Sequence, residues 1–147
     1  MYDGLPGVVR RKFADLSGEG ARRYGGRSNP PGVAAIYTAE NVALAVLEVL
    51  VHLDYVEVPI DYVVMAIRFA ATRAYCAKSN EFQEVVRHGA STFSESQFFK
   101  PVLRVPSAIV PREHNYVLYP AANGFEAVVD WIEPLEFDRR LFAFTQG

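Results

Sequence analysis

A chain of 147 residues, half of them apolar and 13% aromatic, can close one domain around a real core but is too short for two comfortable ones. The net charge of −2 excludes a protein whose main business is coating nucleic acid, since such domains carry a strong basic excess. A single cysteine, Cys76, excludes an internal disulfide framework and points to a reducing compartment, with Cys76 a packed hydrophobe or, less simply, a nucleophile.

The opening "MYDGLPGVVRRKFADL" has no apolar stretch of the kind an export signal needs. No apolar run in the chain reaches the roughly 20 residues that cross a bilayer. The expectation is a soluble cytoplasmic protein. Charge is uneven: up to Arg27 the chain holds Arg10, Arg11, Lys12, Arg22, Arg23 and Arg27 against Asp3, Asp15 and Glu19. This suits an anionic small molecule or an acidic partner, or is simply a solvated basic surface.

Gly18 to Gly32 is rich in Gly and Pro, and "SNPPG" reads as a turn in which Pro31 fixes φ and Gly32 supplies the permissive position. "VAAIYT" reads as a short strand ending at Thr38, which is expected to cap the next helix with Glu40 in its first turn. That helix, through "NVALAVLEVLVHL", is apolar except for Asn41, Glu48 and His52, which fall with Ala45 on one narrow stripe. A helix so apolar is expected to be packed on several sides, which leaves the stripe facing a sliver of solvent or a cleft. Glu48 is the residue in question, because a carboxylate inside an apolar run must find water, a partner or a proton.

Further on, "DYVVMAIRF" reads as a strand, and "EFQEVVRH" and "SESQFFK" as short helical or irregular pieces. "PVLRVPSAIVP" has strand composition broken at Pro106, which places Pro106 and Ser107 at an edge, a bulge or a bend. "NYVLYP" is a short strand, "FEAVVDWI" a helix or a strand, and "LEFDRRLFAF" a terminal strand. Strands around one clear helix, without βαβ alternation, predict a single mixed α+β domain over residues 1–147.

His52, His88 and His114 are scattered, so no metal-ligand spacing can be assembled and no metal or cofactor is expected. Nor does the chain contain GxxxxGK[ST], a GxGxxG after a strand, or a GxSxG elbow at Ser107.

Taken together, "SGEGARRYGGRSNPPGVAAIYTAENVALAVLEVLVHL", "LRVPSAIVPREHNYVLYP" and "FDRRLF" resemble the RES domain family, from about Ser17 to Leu141. The resemblance implies a fold similar to ADP-ribosyltransferases of the diphtheria-toxin type, and the toxin of a bacterial type II toxin–antitoxin system that consumes NAD+. It also implies a cognate antitoxin with an Xre-like DNA-binding part, a toxin that forms a homodimer or joins a larger toxin–antitoxin complex, and no direct nucleic-acid or membrane contact by the toxin. By motif, the family's arginine falls on Arg27, its tyrosine on Tyr37, its glutamate on Glu48, its serine on Ser107 and the following asparagine on Asn115. The family usually carries Trp where this chain has Ser28, "NP.H" where it reads "YPAA" at Tyr119 to Ala122, and an aromatic–arginine pair near the start where only Tyr2 stands.

Cleaving the nicotinamide–ribose bond develops positive charge on the sugar, as in glycosidases, so a carboxylate such as Glu48 beside the ribose is the group the chemistry needs. Arg27, after two glycines, suits a planar fork for pyrophosphate or a ribose-side oxygen, or else a surface ion pair. Tyr37 either stacks on nicotinamide, donates from its hydroxyl, or fills the core. Ser107 fits an orienting role better than a nucleophilic one, with no histidine base beside it in sequence. Asn115 binds substrate or caps a turn, and His52 stands behind the site or at the surface. Water, phosphate or a protein side chain as acceptor would make the enzyme a glycohydrolase, a phosphorylase or an ADP-ribosyltransferase. The alternative, from another class, is a catalytically weakened homologue that survives as an antitoxin- or nucleotide-binding module.

Overall fold

The computed structural model describes residues 2–53, 58–69, 74–76 and 100–145. In chain order these form β1 (Tyr2–Arg10), α1 (Glu19–Tyr24), β2 (Ile36–Ala39), α2 (Val42–Leu50), β3 (Tyr62–Phe69), β4 (Ala74–Cys76), β5 (Val102–Pro106), β6 (His114–Leu118) and β7 (Ala127–Leu135). Short 3₁₀ helices lie at Arg11–Phe13 and Arg139–Thr145. The strands make two sheets, one in the order β1-β3-β7 and one in the order β2-β6-β5-β4, antiparallel except for the β4–β5 pair.

Strand β3 is the centre of the first sheet and is buried at every position but Arg68, which explains its continuous apolar run. Arg68 turns out to an ion pair with Asp130 on β7. Leu5, Met65 and Ile67 of the first sheet meet Ile36, Val102, Tyr116 and Leu118 of the second, so the main core lies between sheets. Leu103, Val105, Val117 and Tyr119 bury the second sheet's other face against Ala35 and Ala122. A third cluster puts Leu44, Ala45 and Leu50 of α2 on Val8, Tyr62 and Val64 of the first sheet, with Phe137 and Phe142 beside them.

Several expectations are corrected. Strand β1 leaves little signal in the sequence because Gly4, Pro6 and Gly7 remove strand composition, but it lies at the sheet edge, where a missing amide is tolerated. Thr38 does not cap α2: it stays in β2 and its Oγ1 donates to the Tyr116 carbonyl at 2.9 Å, while Asn41 Oδ1 accepts from Leu44 N at 2.8 Å. The stretch "LEFDRRLFAF" is not one strand. It leaves β7 at Leu135 and turns into a 3₁₀ helix, because Asp138 accepts from the Arg140 amide at 2.9 Å and Phe137 and Phe142 stack edge-on to fill the core. Finally, α2 packs on one face only: Val42, Leu47 and Val51 are exposed, because a short helix lying against the sheets meets a single layer. "FEAVVDWI" resolves as strand β7, whereas "EFQEVVRH", most of "SESQFFK" and His88 lie outside the described residues. No helix among the described residues is long and apolar enough to cross a membrane.

Candidate active site

The position of Glu48 follows from how α2 starts. Asn41 caps the helix in extended conformation, and its amide nitrogen also bonds Glu113, just before β6. Next to it, Glu40 accepts from the His114 amide at 2.7 Å. These contacts tie the first turn of α2 to the β5–β6 connection. Two turns later on the same side of the helix, Glu48 is therefore aimed back at that connection.

Ser107 from that connection and Asn115 from β6 meet the carboxylate. Ser107 Oγ and Asn115 Nδ2 both donate to Glu48 Oε1 at 2.6 Å. Oε2 receives no bond from the described residues. Pro106 ends β5, and the chain then turns so that the Ile109 and Val110 amides donate to Ser107 Oγ at 3.1 and 3.0 Å. With both acceptor positions of the hydroxyl filled, its one proton points at Glu48. Ser107 is 2% exposed and sits behind the carboxylate rather than on the cleft wall, so this arrangement orients Glu48 and leaves the serine oxygen without a free lone pair for attack. Asn115 Oδ1 is buried and takes no donor among the described residues. The reversed amide would set two oxygens against each other, which fixes the orientation.

Glu48 opens onto a cleft of about 620 Å³, a size typical of small-molecule sites, whose walls also carry Arg27, Tyr37, Asn115, His52 and Ser28. Here the sequence-expected residues come together from α2, β2, β6 and the loop after α1. His52 lies one turn beyond Glu48 on the cleft edge and is exposed.

The loop bearing Arg27 is fixed through its backbone. Tyr37 OH accepts from the Ser28 amide at 3.0 Å and donates to Asn29 Oδ1 at 2.6 Å. Tyr119 OH donates to the Ser28 carbonyl at 2.7 Å. Asn29, 1% exposed, donates from its amide to the carbonyls of Ala21, Pro30 and Val33 at 2.8, 3.2 and 2.9 Å. Gly25 sits at φ +72°, and a side chain on Gly26 would lie 2.6 Å from Tyr37 OH, so the two glycines before the arginine are a geometric requirement. Burial pushes the Tyr37 phenol up to about 12, against the opposing pull of the Ser28 amide and the Arg27 cation. Burial raises Tyr119 as well. The Tyr37 hydroxyl is thus committed to the loop, while the tyrosine as a residue still lines the cleft. Arg27 itself is exposed, with no ion-pair partner among the described residues.

Arg22 and Arg23, by contrast, are both held by Glu19, Arg22 through two bonds of 2.6 Å and Arg23 through one of 3.1 Å. Those bonds, with Arg22's the larger, hold the Glu19 carboxyl at about 2. Ser28, Asn29 and Tyr119 had no signal in the sequence as supports of the loop that carries Arg27, since their contacts run largely through backbone groups of a turn.

Comparison with known proteins agrees with this architecture. The RES domain profile matches residues 5–140. A protein named Toxin Res from Photorhabdus laumondii is 35% identical, with the match covering 91% of this chain and 94% of its own. One named Prs ADP-ribosylating toxin from a Sphingobium species is 37% identical over 77% of this chain and 79% of its own. The chain belongs to the RES domain family. The fold matches a chain in the crystal structure of the M. tuberculosis MbcT-MbcA toxin-antitoxin complex, with a TM-score of 0.65 at 19% identity, over 97% of this chain and 88% of that one.

Proposed function

We propose that this protein is the toxin of a bacterial toxin–antitoxin pair and consumes NAD+ by breaking the bond between ribose and nicotinamide. The observation that carries the reading is the Glu48 carboxylate, held at Oε1 by Ser107 and Asn115 on a residue that lines the cleft, with Oε2 taking no bond from the described residues. As the C–N bond lengthens, its electron pair leaves with nicotinamide and positive charge builds on the ribose. A preoriented carboxylate beside that carbon stabilises the charge without reorganising. Arg27 binds phosphate oxygens of the dinucleotide, Tyr37 shapes the wall through its ring, and Asn115 holds Glu48 from the cleft side. The acceptor then closes the ribose carbon and loses a proton, giving ADP-ribose with water, its phosphorylated form with phosphate, or a modified side chain with a protein.

The names of the relatives support the toxin reading, and the likeness in fold to a chain from a toxin-antitoxin complex supports a protein antitoxin as partner. In this reading an Xre-like antitoxin silences the toxin by covering the cleft. Purified protein incubated with NAD+, with and without phosphate and with a cellular protein extract, separates the three acceptors by product identification. Intact NAD+ in all three incubations refutes the reading.

A further inference from the structure

The N-terminal cations divide into two groups. Arg11 is paired with Asp61 at 3.3 Å, Arg22 and Arg23 with Glu19, and the Lys12 ammonium lies over the Phe13 ring at 5.0 Å. Arg10 and Arg27 differ: both line the cleft, both are exposed, and neither has a carboxylate within ion-pair distance among the described residues. Arg10 is the last residue of β1, opposite Tyr62 in the sheet, and its guanidinium stands 5.9 Å from the centre of the Tyr62 ring. The Tyr62 phenol, hydrogen-bonded to the guanidinium, is the neighbour that raises the Arg10 pKa, so Tyr62 anchors one side of the cation and the remaining donors of its five N–H groups are left for an oxyanion.

The charge balance of the cleft points the same way. Its wall contains Glu48 and Asp15, and Glu19 brings its charge already neutralised by two arginines. A ligand with a pyrophosphate carries two negative charges into this setting, and Arg27 supplies one positive charge. We infer that Arg10, propped on Tyr62, is a second phosphate-binding residue of the cleft and acts with Arg27 on the diphosphate of the substrate. This rests on the NAD+ reading above and extends it to a residue outside the family motif.

The test compares the full chain with R10Q and R10K on three compounds: NAD+, nicotinamide riboside, which has the same scissile bond and no phosphate, and ADP, which has the diphosphate and no scissile bond. R10Q is expected to raise KM for NAD+ and the calorimetric Kd for ADP by about tenfold, the loss of one charge-assisted bond at an exposed site. It should keep kcat within about twofold and kcat/KM for nicotinamide riboside unchanged, and R10K should recover part of the loss. Unchanged KM and ADP affinity in R10Q overturn the inference, and so does an equal loss on the phosphate-free substrate, which would make Arg10 a structural residue. ADP binding needs no turnover. A parent chain that binds ADP through Arg10 but leaves NAD+ intact would therefore sink the catalytic reading and keep the subsite, whereas a chain that binds no ADP would sink the subsite.

Discussion

Glu48 and Arg27, two of the charged groups of the cleft, are positioned by opposite means. At Glu48 the side chain itself is held, with Ser107 and Asn115 bonded to one carboxylate oxygen. At Arg27 the side chain has no ion-pair partner among the described residues and its backbone surroundings are held, by Tyr37, Asn29 and Tyr119. A charge that must oppose a transition state is most effective when it does not have to move, and a cation that recognises a phosphate can close on it during binding. In the proposed reaction this difference assigns Glu48 to the chemical step and Arg27 to substrate capture, and it can be broken by substitutions on either side.

The largest effect is expected at the fixed end. E48Q keeps an oxygen for the Ser107 and Asn115 donors, so the local packing should survive, while the charge opposing the ribosyl cation disappears. A single preorganised electrostatic group supplies about 3 to 4 kcal/mol, so turnover should fall roughly a hundred- to a thousandfold with little change in melting temperature. Parental turnover would return Glu48 to a surface role and end the proposed mechanism.

S107A should do less to rate and more to stability. It removes one donor from Glu48 and strands the Ile109 and Val110 amides, which now have Oγ as acceptor. An unsatisfied buried group costs about 1 to 3 kcal/mol and these two residues are half-buried, so a drop in melting temperature at the low end of that range should accompany a loss of kcat of roughly tenfold, well short of that in E48Q. If S107A were as inactive as E48Q while equally stable, Ser107 would have a chemical part that its filled lone pairs argue against.

On the capture side, Y37F removes the acceptor for the Ser28 amide and the donor to Asn29. Its effect should fall on KM, by several-fold, with kcat changed less, because the loosened loop carries Arg27 and not the carboxylate. The same substitution has a pH signature. Folded Tyr37 keeps its proton to about 12, while an unfolded tyrosine releases it near 10, so stabilisation by the neutral buried phenol is complete below about pH 10 and drains away between 10 and 12. Melting temperature should thus fall above pH 10 in the parent and fall less steeply in Y37F, with Tyr119 contributing the remainder.

How far the sequence carries these conclusions depends on the range of the contacts. Strand β3 is legible because burial on both faces leaves an apolar run, and the end of β5 because Pro106 cannot continue a ladder. Strand β1 is hidden by its own glycines and proline, and the terminal 3₁₀ helix by an aromatic pattern that suits a strand equally well. The stripe of Asn41, Glu48 and His52 raises the right question but leaves solvent and cleft open. Its answer lies in partners 59 and 67 residues away in sequence, Ser107 and Asn115, which no local periodicity encodes. Their grouping is legible only through the family resemblance. Asn29 reads as part of a turn, which it is; that three of its bonds go to backbone carbonyls is a property of the folded loop alone.

The smallest effect is expected at Glu19, where charge is visible in the sequence but already neutralised in the fold. E19Q frees Arg22 and Arg23, yet neither lines the cleft, so KM for NAD+ should stay within about twofold at physiological salt, where exposed charges are strongly screened. In the proposed toxin–antitoxin pairing the rate of antitoxin association should change more, rising at low salt if the antitoxin meets this rim with acidic residues. Acid sensitivity gives an independent reading. Because folded Glu19 holds its charge to about 2 and an unfolded glutamate only to about 4, its contribution is intact above pH 4 and is lost as pH falls toward 2. E19Q should therefore match the parent's change in melting temperature from pH 7 to 4 and lack a small part of its loss below. A large rise in KM in E19Q would show that the arrangement of α1, and not only the clamp on Ser28, sets where Arg27 stands.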